Sequence, residues 1–103
     1  MTIKAYDQEK EITVNMLSLT EVIESLEAVD LVKMDCEGCE FPAILFTSDT
    51  VLSRVREWVI EYHDYPRPIV RKLEYAQFEV KVYKPYLVRE GKPIGFLYAK
   101  RKW

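Results

Sequence analysis

Two short apolar segments, Asp30–Asp35 and Trp58–His63, constrain the fold of this chain more than any other feature of its sequence. Each has the length of a strand, and residues with helical spacing lie before and after it. Strands that alternate with helices are typical of a parallel sheet, in which a helix connects neighbouring strands. We therefore predict that both segments are strands of a layered α/β fold.

The other elements are predicted from spacing, caps and turn residues. Helices are predicted over residues 18–28, 40–46, 48–55 and 68–76, the first of them opening with a Ser-Leu-Thr-Glu capping box. Strands are predicted over residues 12–14, 30–35, 58–63, 78–83 and 95–100. The first ten residues are polar and are predicted to be an extended or frayed lead-in. This order predicts a mostly parallel sheet with a C-terminal antiparallel β-hairpin.

The composition is that of one globular domain. The chain has 103 residues, 49% of them hydrophobic and 31% charged, which predicts a single α/β domain over residues 1–103. Because 15 basic and 17 acidic side chains leave no net positive field, nucleic acid is not an expected partner. No apolar run approaches the roughly 20 residues that cross a bilayer, and no secretory pattern opens the sequence. We therefore predict a cytoplasmic protein without a membrane partner.

Ionisable residues stand at the ends of the two central strands. Asp35 and Glu37 follow the first strand, and Glu61 and His63 close the second. In open α/β sheets, ligands bind beyond the carboxyl ends of the strands, so neighbouring parallel strands would bring these four residues into one crevice. This crevice is the predicted site. The alternative is that the acidic residues only cap helices and bind loop amides.

The residues around the first strand resemble a known family. The segment VDLVKMDCEGCE over residues 29–40 is similar to the signature of the FkbM family of S-adenosylmethionine-dependent methyltransferases, which reads Lys-Ile-Asp-x-Glu-Gly-x-Glu after an apolar strand. The resemblance extends forward to Val59–His63, where the family usually has Glu-x-His at a strand end, and back to Val14–Leu19. It covers most of residues 12–100.

This resemblance implies a truncated Rossmann-like methyltransferase fold. Methyltransferases of this class open with a strand and a Gly-rich loop for the cofactor, whereas no glycine precedes Gly38 in this chain. The chain is therefore predicted to be the C-terminal half of the domain, and to bind S-adenosylmethionine only with a complementing half. Three alternatives stay open: a remnant without catalysis, one subunit of a split enzyme, and a small protein that uses the crevice for another purpose.

Site roles and partners follow from the same resemblance. Asp35 and Glu37 would face the methyl donor or the acceptor, while Glu61 and His63 would position or deprotonate an acceptor hydroxyl. The strand that would lie beside the missing half has an uncovered edge, and exposed edges invite pairing with another chain. We expect a homo-oligomer or a complementing N-terminal subunit.

The pair Cys36 and Cys39 supports a different function. Its C-x-x-C spacing between a strand and a helix is typical of a thioredoxin-like thiol-disulfide redox module. Asp35 argues against this function, because its charge beside the thiol would raise the thiol pKa. The two cysteines with His63 and one carboxylate could also hold a metal, but structural zinc normally takes four well-placed N or S ligands, so no metal site is predicted. A non-catalytic interaction protein remains a further alternative.

Overall fold

The computed structural model of this protein describes residues 2–7, 10–14 and 19–103. The strands are β1 (Thr2–Asp7), β2 (Lys10–Val14), β3 (Val29–Asp35), β4 (Val55–Tyr62), β5 (Phe78–Val82), β6 (Leu87–Arg89) and β7 (Lys92–Arg101). The helices are α1 (Leu19–Ser25), α2 (Glu40–Leu45), α3 (Asp49–Leu52) and α4 (Arg67–Tyr75). Each predicted helix and strand has a counterpart, and β1 and β6 are additional.

The strands form one mixed sheet with the order β2-β1-β3-β4-β7-β5, and β6 pairs with β7 outside this path. Among the described strands only β3 and β4 pair in parallel, and every other pairing is antiparallel. The prediction of a mostly parallel, Rossmann-like sheet is therefore wrong. It fails at both flanks, because β1 pairs antiparallel with β3, and β7 lies antiparallel between β4 and β5.

Strand β1 lies in the segment that we predicted to be a frayed lead-in. Its polar residues alternate with Ile3 and Ala5, whose side chains are buried in the core. Two of its polar side chains contact Glu11 of strand β2. Lys4 Nζ lies 2.8 Å from Glu11 Oε1, and the Tyr6 hydroxyl donates to the same oxygen at 3.1 Å. Strand β1 thus covers the edge of β3 that we expected to be open, and β2 pairs with the other side of β1.

The helices begin near the residues that the sequence indicated. Ser18, the predicted first residue of the capping box, lies outside the described residues. The sequence predicts Ser48 or Asp49 as the cap of α3, and the cap is Ser48, whose Oγ accepts a hydrogen bond from the Val51 backbone N–H at 3.2 Å. Pro42 lies in the first turn of α2, where the lack of a backbone donor costs little.

Strands β3 and β4 form the centre of the core. Their parallel register places Val32 opposite Trp58 and Met34 opposite Ile60, and all four side chains are buried. Because the two strands run in the same direction, β3 ends at Asp35 and β4 ends at Tyr62 on the same side of the sheet. The prediction that these two segments are neighbouring parallel strands is confirmed.

In the described residues, no helix has the length and apolar character needed to cross a membrane.

A cross-strand pair joins β4 to the antiparallel strand β7. The Tyr98 hydroxyl donates a hydrogen bond to Oε1 of Glu57. This bond, together with burial and the charge of Glu57, raises the pKa of Tyr98 to about 12, because all three favour the neutral phenol. The pair therefore links the parallel centre of the sheet to its antiparallel flank.

The Tyr98–Glu57 pair predicts a pH dependence. Because the pKa of Tyr98 is raised above its ordinary value of 10.0, the pair contributes its full stabilisation below about pH 10 and loses it as the pH rises through about 12. In Glu57→Gln we expect the pKa of Tyr98 to fall toward 10.0. Phenolate absorbance, taken as the difference between each protein and its Tyr98→Phe counterpart, measures this pKa. A Tyr98 pKa that is the same in the wild type and in Glu57→Gln would contradict the role of the carboxylate.

Candidate functional site

The ends of β3 and β4 bring three of the four predicted site residues together. One ligand atom each from Asp35, Glu61 and His63 lies within 4.8 Å of the others. Asp35 is the last residue of β3, whereas Glu61 and His63 lie at the end of β4, so the parallel pairing of the strands creates the cluster. We call Asp35, Glu61 and His63 the strand-end cluster.

His63 lies between two carboxylates. Its Nε2 is 2.9 Å from Glu61 Oε1, and its Nδ1 is 3.3 Å from Glu40 Oε2. The side chains of His63 and Glu61 are only 12% and 13% exposed, so solvent screens this pair weakly. Both ring nitrogens of the imidazole are therefore oriented by acidic groups, which leaves the ring little freedom to rotate.

Glu40 is a fully buried carboxylate that the sequence analysis gave no role. Its Oε1 accepts the Gly38 backbone N–H, and its Oε2 accepts the His63 backbone N–H, both at 2.8 Å. Burial destabilises the negative charge of Glu40, and these two donors, with the His63 ring beside them, compensate for the lost hydration. Glu40 thus ties the turn after β3 to the end of β4. Its place as the last residue of the quoted signature was the signal that could have identified it.

The turn between β3 and α2 has a backbone that brings Glu40 back toward His63. Glu37 has φ 36° and Gly38 has φ 99°, both in the left-handed region that favours glycine. Cys36 and Cys39 close this turn with a disulfide. In this oxidised form their sulfur atoms are bonded to each other, so the metal set of two cysteines and His63 that we considered is not formed.

Glu37 does not join the strand-end cluster. Its side chain is exposed, and among the described residues no hydrogen bond or ion pair links it to Asp35, Glu61 or His63. The left-handed conformation at Glu37 directs the chain into the turn rather than along the strand. The structure therefore places the fourth predicted residue beside the cluster in sequence and outside it in space.

Tyr86 is a second residue of the site that sequence reasoning missed. Its hydroxyl donates to Glu61 Oε2 at 2.7 Å, and its ring stacks on Phe96 with the centroids 5.7 Å apart. The hydrogen bond to Glu61, followed by burial and the charges of Glu61 and Asp35, raises the pKa of Tyr86 to about 12. Tyr86 comes from the segment between β5 and β6, and no motif in the sequence connects it with Glu61.

The site therefore combines an imidazole with carboxylates that only accept hydrogen bonds when ionised. Such a set can take a proton from a bound hydroxyl, or it can bind a cation. Tyr86 holds one oxygen of Glu61 and leaves the other oxygen facing His63.

The comparisons with known proteins identify one family. Residues 2–80 match the methyltransferase FkbM domain. The matched residues include the turn after β3 and all three residues of the strand-end cluster. Neither the curated proteins nor the solved structures contain a match to this chain.

Because Glu40 is buried and Glu37 is exposed, we predict that substitution of Glu40 destabilises the protein more than the same substitution of Glu37. In Glu40→Gln one carboxylate oxygen is replaced by an N–H donor that faces a backbone N–H, so we expect a loss of about 1–3 kcal/mol in the free energy of unfolding. Glu37→Gln, at an exposed position, serves as the control and should change it by less than about 0.5 kcal/mol. Urea unfolding of both variants measures the difference. Equal midpoints for the two variants would exclude the anchoring role of Glu40.

Proposed function

This chain belongs to the FkbM methyltransferase domain family, and we propose that it supplies the acceptor side of an S-adenosylmethionine-dependent methyl transfer to a hydroxyl group. The observation that carries the proposal is the strand-end cluster, in which His63 Nε2 lies 2.9 Å from Glu61 Oε1. Methyl transfer to a hydroxyl oxygen needs a group that removes its proton, and an imidazole paired with a carboxylate is suited to this task.

The proton path follows from the partners of His63. Glu40 lies at Nδ1, where it orients the ring. Nε2 then accepts the proton of an acceptor hydroxyl bound between His63 and Asp35. Glu61 at Nε2 and Glu40 at Nδ1 stabilise the resulting imidazolium, and Glu40 has the position of the carboxylate in a His–Asp pair. Tyr86 keeps Glu61 in place by binding its second oxygen.

The residues around the cluster fit an acceptor better than they fit the whole cofactor. S-adenosylmethionine supplies an electrophilic methyl group when it is bound, and such cofactors need a glycine loop whose backbone approaches them closely. The three glycines of this chain are Gly38, Gly91 and Gly95. A Cβ at Gly95 would lie 2.5 Å from the Tyr62 hydroxyl oxygen, so this glycine serves packing against Tyr62. We therefore assign the glycine loop to a complementing half and derive no step through the cofactor.

A complementing chain or a second copy remains our proposal for the partner. The edge of β3 is covered by β1, so the outer strands of the described sheet are β2 and β5, together with β6, which pairs with β7 alone. Backbone groups on these strands are the ones that could pair with another chain. Light scattering on the chain alone and on its mixture with the complementing half reports which assembly forms.

The disulfide between Cys36 and Cys39 favours a second candidate function, that of a thiol-disulfide redox module. Cys36 and Cys39 form a disulfide, as a C-x-x-C redox module would in its oxidised state. Cys36 is buried, however, and thiol exchange requires access to a sulfur atom. An insulin-reduction assay separates this function from methyl transfer, and a lack of both activities in a stable oligomer would favour a non-catalytic interaction protein.

The proposed function predicts that one variant, His63→Gln, loses methyl transfer but keeps its affinity for the cofactor. With the complementing half present, we expect His63→Gln to lower the rate of methyl transfer from labelled S-adenosylmethionine to hydroxyl acceptors by roughly 10²–10⁴-fold, because the base is lost. Cofactor affinity, measured by calorimetry, should stay at the wild-type value. Glu24→Gln, an exposed position on α1, is the matched control and should retain full activity. Unchanged transfer in His63→Gln would contradict the proposal.

A further inference from the structure

The strand-end cluster has the donor set and the dimensions of a cation site. Asp35 and Glu61 each offer a carboxylate oxygen, His63 offers a ring nitrogen, and these atoms lie within 4.8 Å of one another. Transition-metal bonds to such ligands are about 2.0–2.2 Å long, so the ligand atoms around one ion are at most roughly 4.4 Å apart. Side-chain movements of well under one ångström per residue would bring the three atoms to that separation.

A residue outside the cluster orients the ring of His63. Glu40 is fully buried, and two backbone N–H donors at 2.8 Å hold it as an acceptor. Its Oε2 lies 3.3 Å from His63 Nδ1, so a buried carboxylate stands behind the ring while Nε2 faces the cluster. Metal-binding histidines commonly have this arrangement, in which a carboxylate behind the ring fixes the tautomer.

Nε2 lies 2.9 Å from Glu61 Oε1. Because an ionised carboxylate only accepts, a positive charge is favoured between these two atoms, and a proton or a cation can supply it. Glu61 cannot turn away without losing the hydrogen bond that its other oxygen accepts from Tyr86 at 2.7 Å.

From this geometry we propose that Asp35, Glu61 and His63 bind one divalent transition-metal cation. The imidazole favours Co²⁺ or Zn²⁺ over Mg²⁺, which prefers an all-oxygen shell, and the two carboxylates also suit Mn²⁺. Three protein ligands leave coordination positions for an oxygen of a bound molecule. Cys36 and Cys39 contribute nothing to the site, since their sulfur atoms are joined to each other.

This inference deepens the proposed function and rests on it only for the use of the cation. A hydroxyl coordinated to a divalent cation loses its proton more readily. While the cation is bound, His63 acts as a ligand and not as the base, and the proton of the hydroxyl passes to solvent water on the side of the cluster where Asp35 is exposed. The existence of the site is independent of methyl transfer, because the cation is held by residues of this chain alone.

The test is a titration of the chelator-treated full chain with Mn²⁺, followed by electron paramagnetic resonance and calorimetry without any methyl donor. We expect one Mn²⁺ per chain, and affinity at least tenfold lower in Asp35→Asn and in His63→Gln. Asp64→Asn, which alters an acidic neighbour of His63 outside the cluster, is the matched control and should bind as the wild type does. Circular dichroism confirms that each variant is folded.

Two further measurements complete the test. Tyr86→Phe should weaken Mn²⁺ binding less than the ligand variants do, because it removes only the hydrogen bond that orients Glu61. Mg²⁺ should compete poorly with Mn²⁺. The proposal is overturned if the folded wild type binds no Mn²⁺, Co²⁺ or Zn²⁺, if the ligand variants bind as tightly as the control, or if Mg²⁺ binds equally well. A failure of methyl transfer leaves this result unaffected, so the two proposals are tested separately.

Discussion

The buried carboxylate of Glu40 is the contact on which the arrangement of the site depends. It accepts backbone hydrogen bonds from Gly38 and His63, which belong to two different strand ends, and it also lies against the His63 ring. An ionised group without exposure to water needs such donors, because burial removes its hydration. The turn after β3 and the end of β4 are therefore held together by the same charge that orients the imidazole.

Among the described strands, the sheet around this contact is parallel only between β3 and β4, the two strands whose ends form the site. Parallel pairing of β3 and β4 places Asp35 and His63 at the same end of the sheet, whereas an antiparallel pair would separate them by the length of the strands. The antiparallel neighbours β1 and β7 bury both edges of this central pair. Strand β7 also pairs with β6, and Tyr86, which directly precedes β6, donates its hydroxyl hydrogen to Glu61 at the end of β4.

The strand-end cluster allows two uses that share the same atoms. A proton or a cation can occupy the space between His63 Nε2 and Glu61 Oε1, and in both cases Glu40 holds the opposite side of the ring. The two uses lead to the same chemical result at a bound hydroxyl, because either one helps to remove its proton. The chain belongs to the FkbM methyltransferase domain family, and the hydroxyl acceptor that we propose would bind at this position.

Local patterns in the sequence determined the central elements of this protein. Apolar runs placed β3 and β4, helical spacing placed the four helices, and the signature around Asp35 identified the family. Strand ends also indicated that Asp35, Glu61 and His63 would meet, because that inference needs only two neighbouring parallel strands. Glu37 was included on the same grounds, and the left-handed turn that excludes it has no unambiguous sign in the residues themselves.

Only the tertiary structure decided how the sheet is completed and which residues support the cluster. Strand β1 is polar in sequence, and it becomes a strand because its backbone pairs with the edge of β3 and its alternate residues Ile3 and Ala5 are buried in the core. The roles of Glu40 and Tyr86 arise from contacts between residues 23 and 25 positions apart. Spacing along a chain reports local periodicity, whereas sheet order and such long-range contacts depend on which surfaces are buried together, and that is settled only when the whole chain packs.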